Sequence, residues 1–343
     1  MDIVTHGLAS FAVARGFFPR AGKAAVAAAI VGGTIADVDW LSYYFGPSSY
    51  LTSHHTYAHS ILGAILISAG VAAVIFRFLS QSKRNGAPIS ATVATNLPPI
   101  LFAALCAALL HLAMDACQSS SVMLFWPFRS RRIAADWLPR IDPWILTILI
   151  ACIAVPELLR LVSSEIGAKD KKPRGQTGAI IGLALVLTYI GTRATLHSNV
   201  VATMESRTFH GETPRRVSAF PETLSIFTWH GVVETESALD QIDVDATSAN
   251  NFDPDTSMRL FKPEPSAALD AARKSAAAKK FLAAARIPKA SVEKTESGYT
   301  VVLRDLRYAA TGETQREVAA VIELDSNNKV TSEELVWAQE LRR

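Results

Sequence analysis

Long uncharged stretches dominate the first half of this chain, and short alternating ones the second. Four uncharged runs fall at 60–76, 85–110, 143–156 and 175–192, the third continuing to 162 past Glu157 and Arg160. A helix that crosses a bilayer needs about 20 mostly apolar residues. The runs therefore predict spans at 59–77, 95–115, 143–162 and 176–194. Two shorter runs, 3–14 and 24–36, precede them, joined by a turn holding Arg15, Arg20 and Lys23. Too short to cross singly, they predict a partly embedded helical hairpin over 3–36. The start, Met1-Asp2, is not basic, and no small-residue cleavage site follows an apolar core, so a cleaved signal peptide fits poorly.

Beyond 197 the pattern changes. The stretch 266–286 is rich in alanine, with Leu269, Ala272, Ala276, Phe281 and Leu282 near helical spacing, and predicts an amphipathic helix. After Ile287-Pro288, the alternating or β-branched runs 291–296, 299–306 and 317–325 are separated by Ser297-Gly298 and by Ser326-Asn327-Asn328. These predict strands of a small antiparallel sheet. The fold class expected is multi-domain: an all-α polytopic membrane helical bundle over 1–197, then a soluble α+β domain over 198–343.

Composition agrees with that division. Half of the 343 residues are apolar and 19% are charged, against about 25% in a soluble domain. Residues 1–197 carry 16 Lys/Arg against 9 Asp/Glu, and 198–343 carry 18 against 22. The net charge of +3 gives no reason to expect nucleic acid as a partner. Cys106, Cys117 and Cys152 show no CxxC spacing, so neither a zinc knuckle nor a disulfide framework is indicated. Basic residues gather in alternate connections: Arg15/Arg20/Lys23, Arg77/Lys83/Arg84 and Arg160/Lys169/Lys171/Lys172/Arg174. Such loops stay on the cytoplasmic side, which sends the C-terminal domain outward. Arg129, Arg131, Arg132 and Arg140, in an opposite loop, run against the rule.

With that topology, the ionisable residues of the membrane half converge on one level. His6 lies near the outer end of the first short helix, Asp37 and Asp39 close the second, and His54, His55 and His59 open the first full span. His111 and Asp115, one turn apart on one face, close the second span. Ionisable groups at membrane depth are costly and face a cavity or one another, which makes such a cluster a functional-site hypothesis. Imidazole with carboxylate is a ligand set for zinc, manganese or non-haem iron. Singly, each of these residues also has an ordinary structural use, as a hydrogen-bonded bundle histidine or a helix-end aspartate.

The order His6, Ala36-Asp37-Val38-Asp39, the stretch 54–60, His111 with Asp115, and Trp126-Pro127-Phe128 resembles the bacterial inner-membrane metal-dependent hydrolases of the DUF457/YdjM type. Members carry PDxD, HRGxTHS, HxxxD and WPF sequences in that order. Asp37 and Asp39 match the first, His54, His59 and Ser60 the second, and His111 and Asp115 the third. Ala36 stands for the usual proline, and His55, Thr56 and Ala58 stand where arginine, glycine and threonine are usual. The resemblance covers about residues 1–150. Phe220-Pro221 and the run from Trp229-His230 resemble, more weakly, the outer domain of longer members.

Residues and resemblance together lead to a membrane-bound metal-dependent hydrolase in the bacterial inner membrane. It would act by metal-activated water on an ester or phosphoester of a lipid-like substrate, with membrane lipid as its partner. The metal ligands expected are His6, Asp37, Asp39, His54, His59, His111 and Asp115, holding one to three divalent ions, zinc first and manganese or iron as alternatives. Asp39, taking a proton, and His55 are the catalytic candidates, while Arg129, Arg131 and Arg132 either hold substrate phosphate or anchor in anionic headgroups. Two other classes use the same residues: an ion- or proton-coupled transporter, and a non-catalytic regulator with a structural metal. Asp243, Asp245, Asp253 and Asp255 lack EF-hand spacing and read as a solvated loop, and His197, His210 and His230 are assigned no chemistry.

Overall fold

The computed structural model describes residues 1–84, 96–165, 175–248 and 252–342. The start of the 85–110 run, to 95, and the basic residues Lys169, Lys171, Lys172 and Arg174 lie outside them. The helices are α1 (Ile3–Phe17), α2 (Gly22–Gly32), a 3-10 segment (Ile35–Phe45), α3 (Pro47–Ser53), α4 (Ile61–Arg84), α5 (Leu97–Ala116), α6 (Pro143–Glu165) and α7 (Gln176–Glu205). Then come β1 (Arg216–Pro221), β2 (Thr228–Glu234), β3 (Ala238–Asp245), β4 (Met258–Phe261), α8 (Ala267–Arg273), α9 (Ala276–Ala284), β5 (Pro288–Lys294), β6 (Gly298–Asp305), α10 (Arg307–Ala310), β7 (Val318–Asp325) and β8 (Val330–Trp337). The chain divides into two compact units, Met1–Asp39 with His55–Arg193, and Trp40–His54 with Ala194–Arg343.

The described helices long and apolar enough to cross a membrane are Gly22–Phe45, Ile61–Gln81, Leu97–Ala116 and Gln176–Glu205. The last three coincide with runs read from the sequence. The helix at 143 runs over Pro143–Glu165, and Pro143–Leu159 is its described apolar part. Gly22–Phe45, expected as one arm of a short hairpin, gains length because α2 hands over at Gly33 to the 3-10 segment.

Small side chains draw these helices together. Ala14, Ala21, Ala25, Ala29, Ala103 and Ala107 form one buried cluster, and Ala24, Ala28, Ala72, Ile100 and Ala104 another. In lipid there is little hydrophobic drive between helices, and close backbone approach supplies the packing attraction. Gly32 and Gly33 mark one close approach. A Cβ on Gly32 would stand 3.0 Å from the Ala104 carbonyl oxygen, and one on Gly33 would stand 2.0 Å from Ser10 Oγ. Larger apolar residues point outward instead, such as Leu66, Phe78 and Leu187. That inversion is the pattern of a lipid-facing surface.

The second unit holds two four-stranded antiparallel sheets, ordered β1-β2-β3-β4 and β5-β6-β7-β8. On the first, Trp229, Ala219, Val233 and Val244 pack with Val200 and Met204 from the end of α7. On the second, Leu269, Ala272, Ala278 and Phe281 of α8 and α9 cover Val301, Leu303, Ala320 and Ile322. The expected 266–286 helix is broken in two at Lys274, because Ser275 turns outward to cap α9, accepting from Ala278 N. Three expected strands correspond to β5, β6 and β7. The first sheet and β8 had not been read from the sequence. Asp243 and Asp245, expected in a loop, lie on β3.

Trp40–His54, which hydropathy groups with the membrane half, packs in this second unit. Tyr43 lies 4.3 Å from the Trp337 ring and Tyr50 5.5 Å, and Val318 completes the cluster. The aromatic content of this stretch explains the attachment, since three large rings bury far more apolar area than the short helix α3 could alone.

Candidate metal centre

Each element that carries a candidate ligand is fixed by local bonds. Asp2 caps α1, accepting from Val4 N at 3.1 Å and Thr5 N at 2.9 Å, and so sets the first turn, where His6 lies. Ser60 caps α4, accepting from Gly63 N at 2.9 Å, and leaves His59 at the helix mouth. His55 adopts a left-handed backbone with φ of 55°. Its N–H donates to Asp39 Oδ2 at 2.8 Å and its carbonyl accepts from Met123 N at 3.3 Å. Histidine tolerates this region better than most residues, and the two anchors hold it there.

Asp115 is the meeting point, with no exposed surface. Its Oδ2 lies 3.2 Å from His111 Nε2 and 3.3 Å from His59 Nε2. Both nitrogens are also 3.9 Å from Asp37 Oδ1. These atoms come close without bonding to each other: His59 Nε2, His111 Nε2 and Asp115 Oδ2 are buried and make no hydrogen bond among the described residues. Donors to one tetrahedral ion at bonds of 2.0–2.1 Å stand about 3.3 Å apart.

The far sides of the rings are held by acceptors. His111 Nδ1 is 2.9 Å from the Gly33 carbonyl oxygen. A carbonyl can only accept, so Nδ1 carries the proton and Nε2 keeps its lone pair. His59 Nδ1 lies 3.1 Å from Asp39 Oδ2, a charge contact behind the ring without the alignment of a hydrogen bond. Imidazole held from behind by an oxygen and open at the other nitrogen is the usual arrangement of a metal ligand.

Two groups of ligand atoms result, His6/Asp37/His111/Asp115 and His55/His59/Asp115, each with all atoms within 4.8 Å of one another. They share Asp115. His6 stacks on His111 at 3.8 Å and donates from Nε2 to Asp115 Oδ1 at 3.1 Å. The N-terminal amine of Met1 meets the same oxygen. Buried nitrogens and carboxylates with unused lone pairs are costly, and a divalent cation offsets that cost in one step, so the residues fit a metal ion.

The remaining candidates lie apart from these groups. Asp39 stands behind His59 and His55. His54 belongs to the second unit, where its ring stacks on Tyr50 at 4.6 Å. Arg129 and Arg131 are exposed. Arg132 is half-buried and reaches Thr56 Oγ1 at 3.4 Å and the Ser121 carbonyl at 3.5 Å. It is held there by the paired bonds between Val122 and Ile133, both 2.9 Å. Sequence reading missed Gly33 and Gln118, whose Nε2 donates to Asp115 Oδ1 at 2.9 Å. The spacing of Gln118, three residues after Asp115 at a helix end, was the available signal.

In the second unit His230 is clasped by two carboxylates, Asp243 Oδ1 at 2.5 Å from Nδ1 and Glu222 Oε2 at 2.6 Å from Nε2. Burial pulls the imidazole pKa down, but the two carboxylates outweigh it and hold it above its usual value. Both ring nitrogens face acceptors, so the two carboxylates favour the charged form of this histidine.

A family model described as YdjM inner membrane protein matches residues 1–200. Another, described as YfhP C-terminal alpha/beta plait domain, matches residues 267–343, the region of α8, α9 and the second sheet. No curated protein and no solved structure matches the chain.

Proposed function

Because the chain belongs to the YdjM inner membrane protein family, we propose that it is a metal-dependent hydrolase of the membrane surface, acting on a phosphoester or ester of a lipid-like substrate. One observation carries this reading: His59 Nε2, His111 Nε2, Asp37 Oδ1 and Asp115 Oδ2 converge at 3.2–3.9 Å, with the two nitrogens and Asp115 Oδ2 making no hydrogen bond among the described residues. These four residues hold the ion, with zinc favoured by the nitrogen and oxygen donor set and manganese or iron able to use the same ligands. A divalent ion bound there acidifies water at neutral pH and withdraws charge from a phosphoryl or acyl oxygen.

The chain's own residues then have distinct roles. His6 and His55 flank the four and extend the ligand set on either side of Asp115. Asp39 orients His59 and fixes the His55 backbone, so its carboxylate serves position before proton transfer. Arg132, reaching Thr56 beside His55, holds a substrate anion, and the exposed Arg129 and Arg131 meet headgroups of the surrounding lipid. The basic connections support an orientation with the second unit outside the cytoplasm.

The test uses the full chain purified in detergent without chelator. Plasma mass spectrometry should find stoichiometric metal, and the protein should hydrolyse bis(p-nitrophenyl) phosphate. The His59→Ala and His111→Ala variants should lose both. Full turnover in both variants would refute the centre, and metal without turnover on phosphate or carboxylate esters would refute the hydrolase.

A further inference from the structure

The two oxygens of Asp115 keep different company. Oδ1 accepts from Gln118 Nε2 at 2.9 Å and from His6 Nε2 at 3.1 Å, and meets the Met1 amine. Oδ2 faces the His59 and His111 nitrogens and makes no hydrogen bond among the described residues. Rotation about the last torsion of an aspartate is soft, and the two oxygens interchange easily. Some group must therefore hold the carboxylate so that one oxygen, and not both, faces the imidazoles.

Gln118 is built for that choice. It has no exposed surface. Its own amide end is set, because Ser120 Oγ donates to Oε1 at 3.3 Å and leaves Nε2 directed at Asp115. Its backbone is clamped too: Gln118 N donates to the Asp115 carbonyl at 3.1 Å, and Gln118 forms a bridge with Leu138. The neighbouring Cys117 carbonyl accepts from Trp137 N at 2.9 Å and Leu138 N at 3.0 Å. Arg193 Nε in turn donates to the Trp137 carbonyl at 3.0 Å.

We infer that Gln118 is a positioning residue for the metal centre. By holding Oδ1 it presents Asp115 through Oδ2 alone, as a one-oxygen ligand. A carboxylate that turned both oxygens to the ion would take up a coordination position that substrate or water needs. The inference rests on the metal reading above.

The experiment is a titration of the full-length protein in detergent with Co²⁺, whose visible absorption reports its coordination. Gln118→Met keeps length and apolar bulk without the donor, and Gln118→Glu keeps shape but sets a carboxylate against Oδ1. Both should bind Co²⁺ about 10- to 100-fold more weakly, with an absorption spectrum altered from wild type, and Gln118→Glu should be at least as affected as Gln118→Met. A role in packing alone predicts the reverse order, since Glu is the closer isostere. Ser120→Ala, which frees the amide from outside the cluster, should shift affinity in the same direction by less, and it decides the matter if both Gln118 variants fail to fold. Wild-type affinity and spectrum in the folded variants would overturn the role of Gln118 while leaving the centre intact. A wild-type protein that takes up no Co²⁺ would overturn the metal reading and this inference with it.

Discussion

His111 donates from Nδ1 to the Gly33 carbonyl oxygen at 2.9 Å, which ties a ring on α5 to the turn that ends α2. The bond sets the tautomer of His111 and aims its Nε2 at Asp37 and Asp115. Backbone geometry at one glycine thus reaches the ligand set, and the first prediction follows from it.

Gly33→Ala should damage the centre although residue 33 offers no ligand atom. The new Cβ would stand 2.0 Å from Ser10 Oγ, 3.1 Å from Ser10 Cβ and 3.2 Å from Ala107 Cβ, so Ser10 must turn its hydroxyl away and the turn must shift against α1 and α5, which moves the carbonyl behind His111. We expect zinc affinity to fall about tenfold or more, measured by competition with a chromophoric chelator. Unchanged affinity would show that His111 needs no tether.

Asp39 and Asp115 should separate cleanly. Asp115→Asn should abolish stoichiometric metal, because Asp115 Oδ2 faces both imidazole nitrogens. Asp39→Asn should leave a metal-binding protein weakened by about 10- to 100-fold, the usual effect of losing the oxygen behind a ligating histidine. Elemental analysis of the two purified variants, with the wild type alongside, decides between them.

His54→Ala should keep its full metal content. Its ring stacks on Tyr50 within the second unit, so the expected loss is in stability, about 0.5–1.5 kcal/mol for an aromatic pair. Thermal melting in detergent reads that loss. A fall in metal content would return His54 to the ligand set.

His230 makes the stability of the second unit depend on pH. Its folded pKa is raised, so the stabilisation is fully present below its unfolded value, about 6.5, and disappears as pH rises through the folded value. His230→Gln should therefore lower the melting temperature at about pH 6 and have little effect at about pH 9, with about 1 kcal/mol at stake after solvent screening. Equal losses at both pH values would mean that the charge on the ring is irrelevant.

Much of this protein is legible in one dimension. Apolar run length alone marks 60–76, 85–110 and 175–192 as membrane helices, because a bilayer imposes a minimum length that no tertiary contact changes. The i and i+4 spacing of His111 and Asp115 places both on one helix face for the same local reason. Alternating or β-branched runs between turn residues find β5, β6 and β7.

Other features depend on what the chain meets in space. The first sheet and β8 escaped because their burial runs in blocks: β1 is buried at four consecutive residues and β8 exposed at four. Trp40–His54 changed sides because Trp337, almost three hundred residues later, offers its rings a partner. His54 and His55 are neighbours in sequence, yet the left-handed backbone at His55 and the two anchors on it send only one of them to the metal groups. Gly33 and Gln118 carry no ligand chemistry of their own, and their importance arises only once folding sets a carbonyl behind His111 and an amide behind Asp115. Residue type and local period determined which groups are able to bind a metal and which segments enter the membrane. Tertiary structure decided which atoms of those groups face one another, because lone-pair direction is fixed by the partner on the far side of each ring and carboxylate.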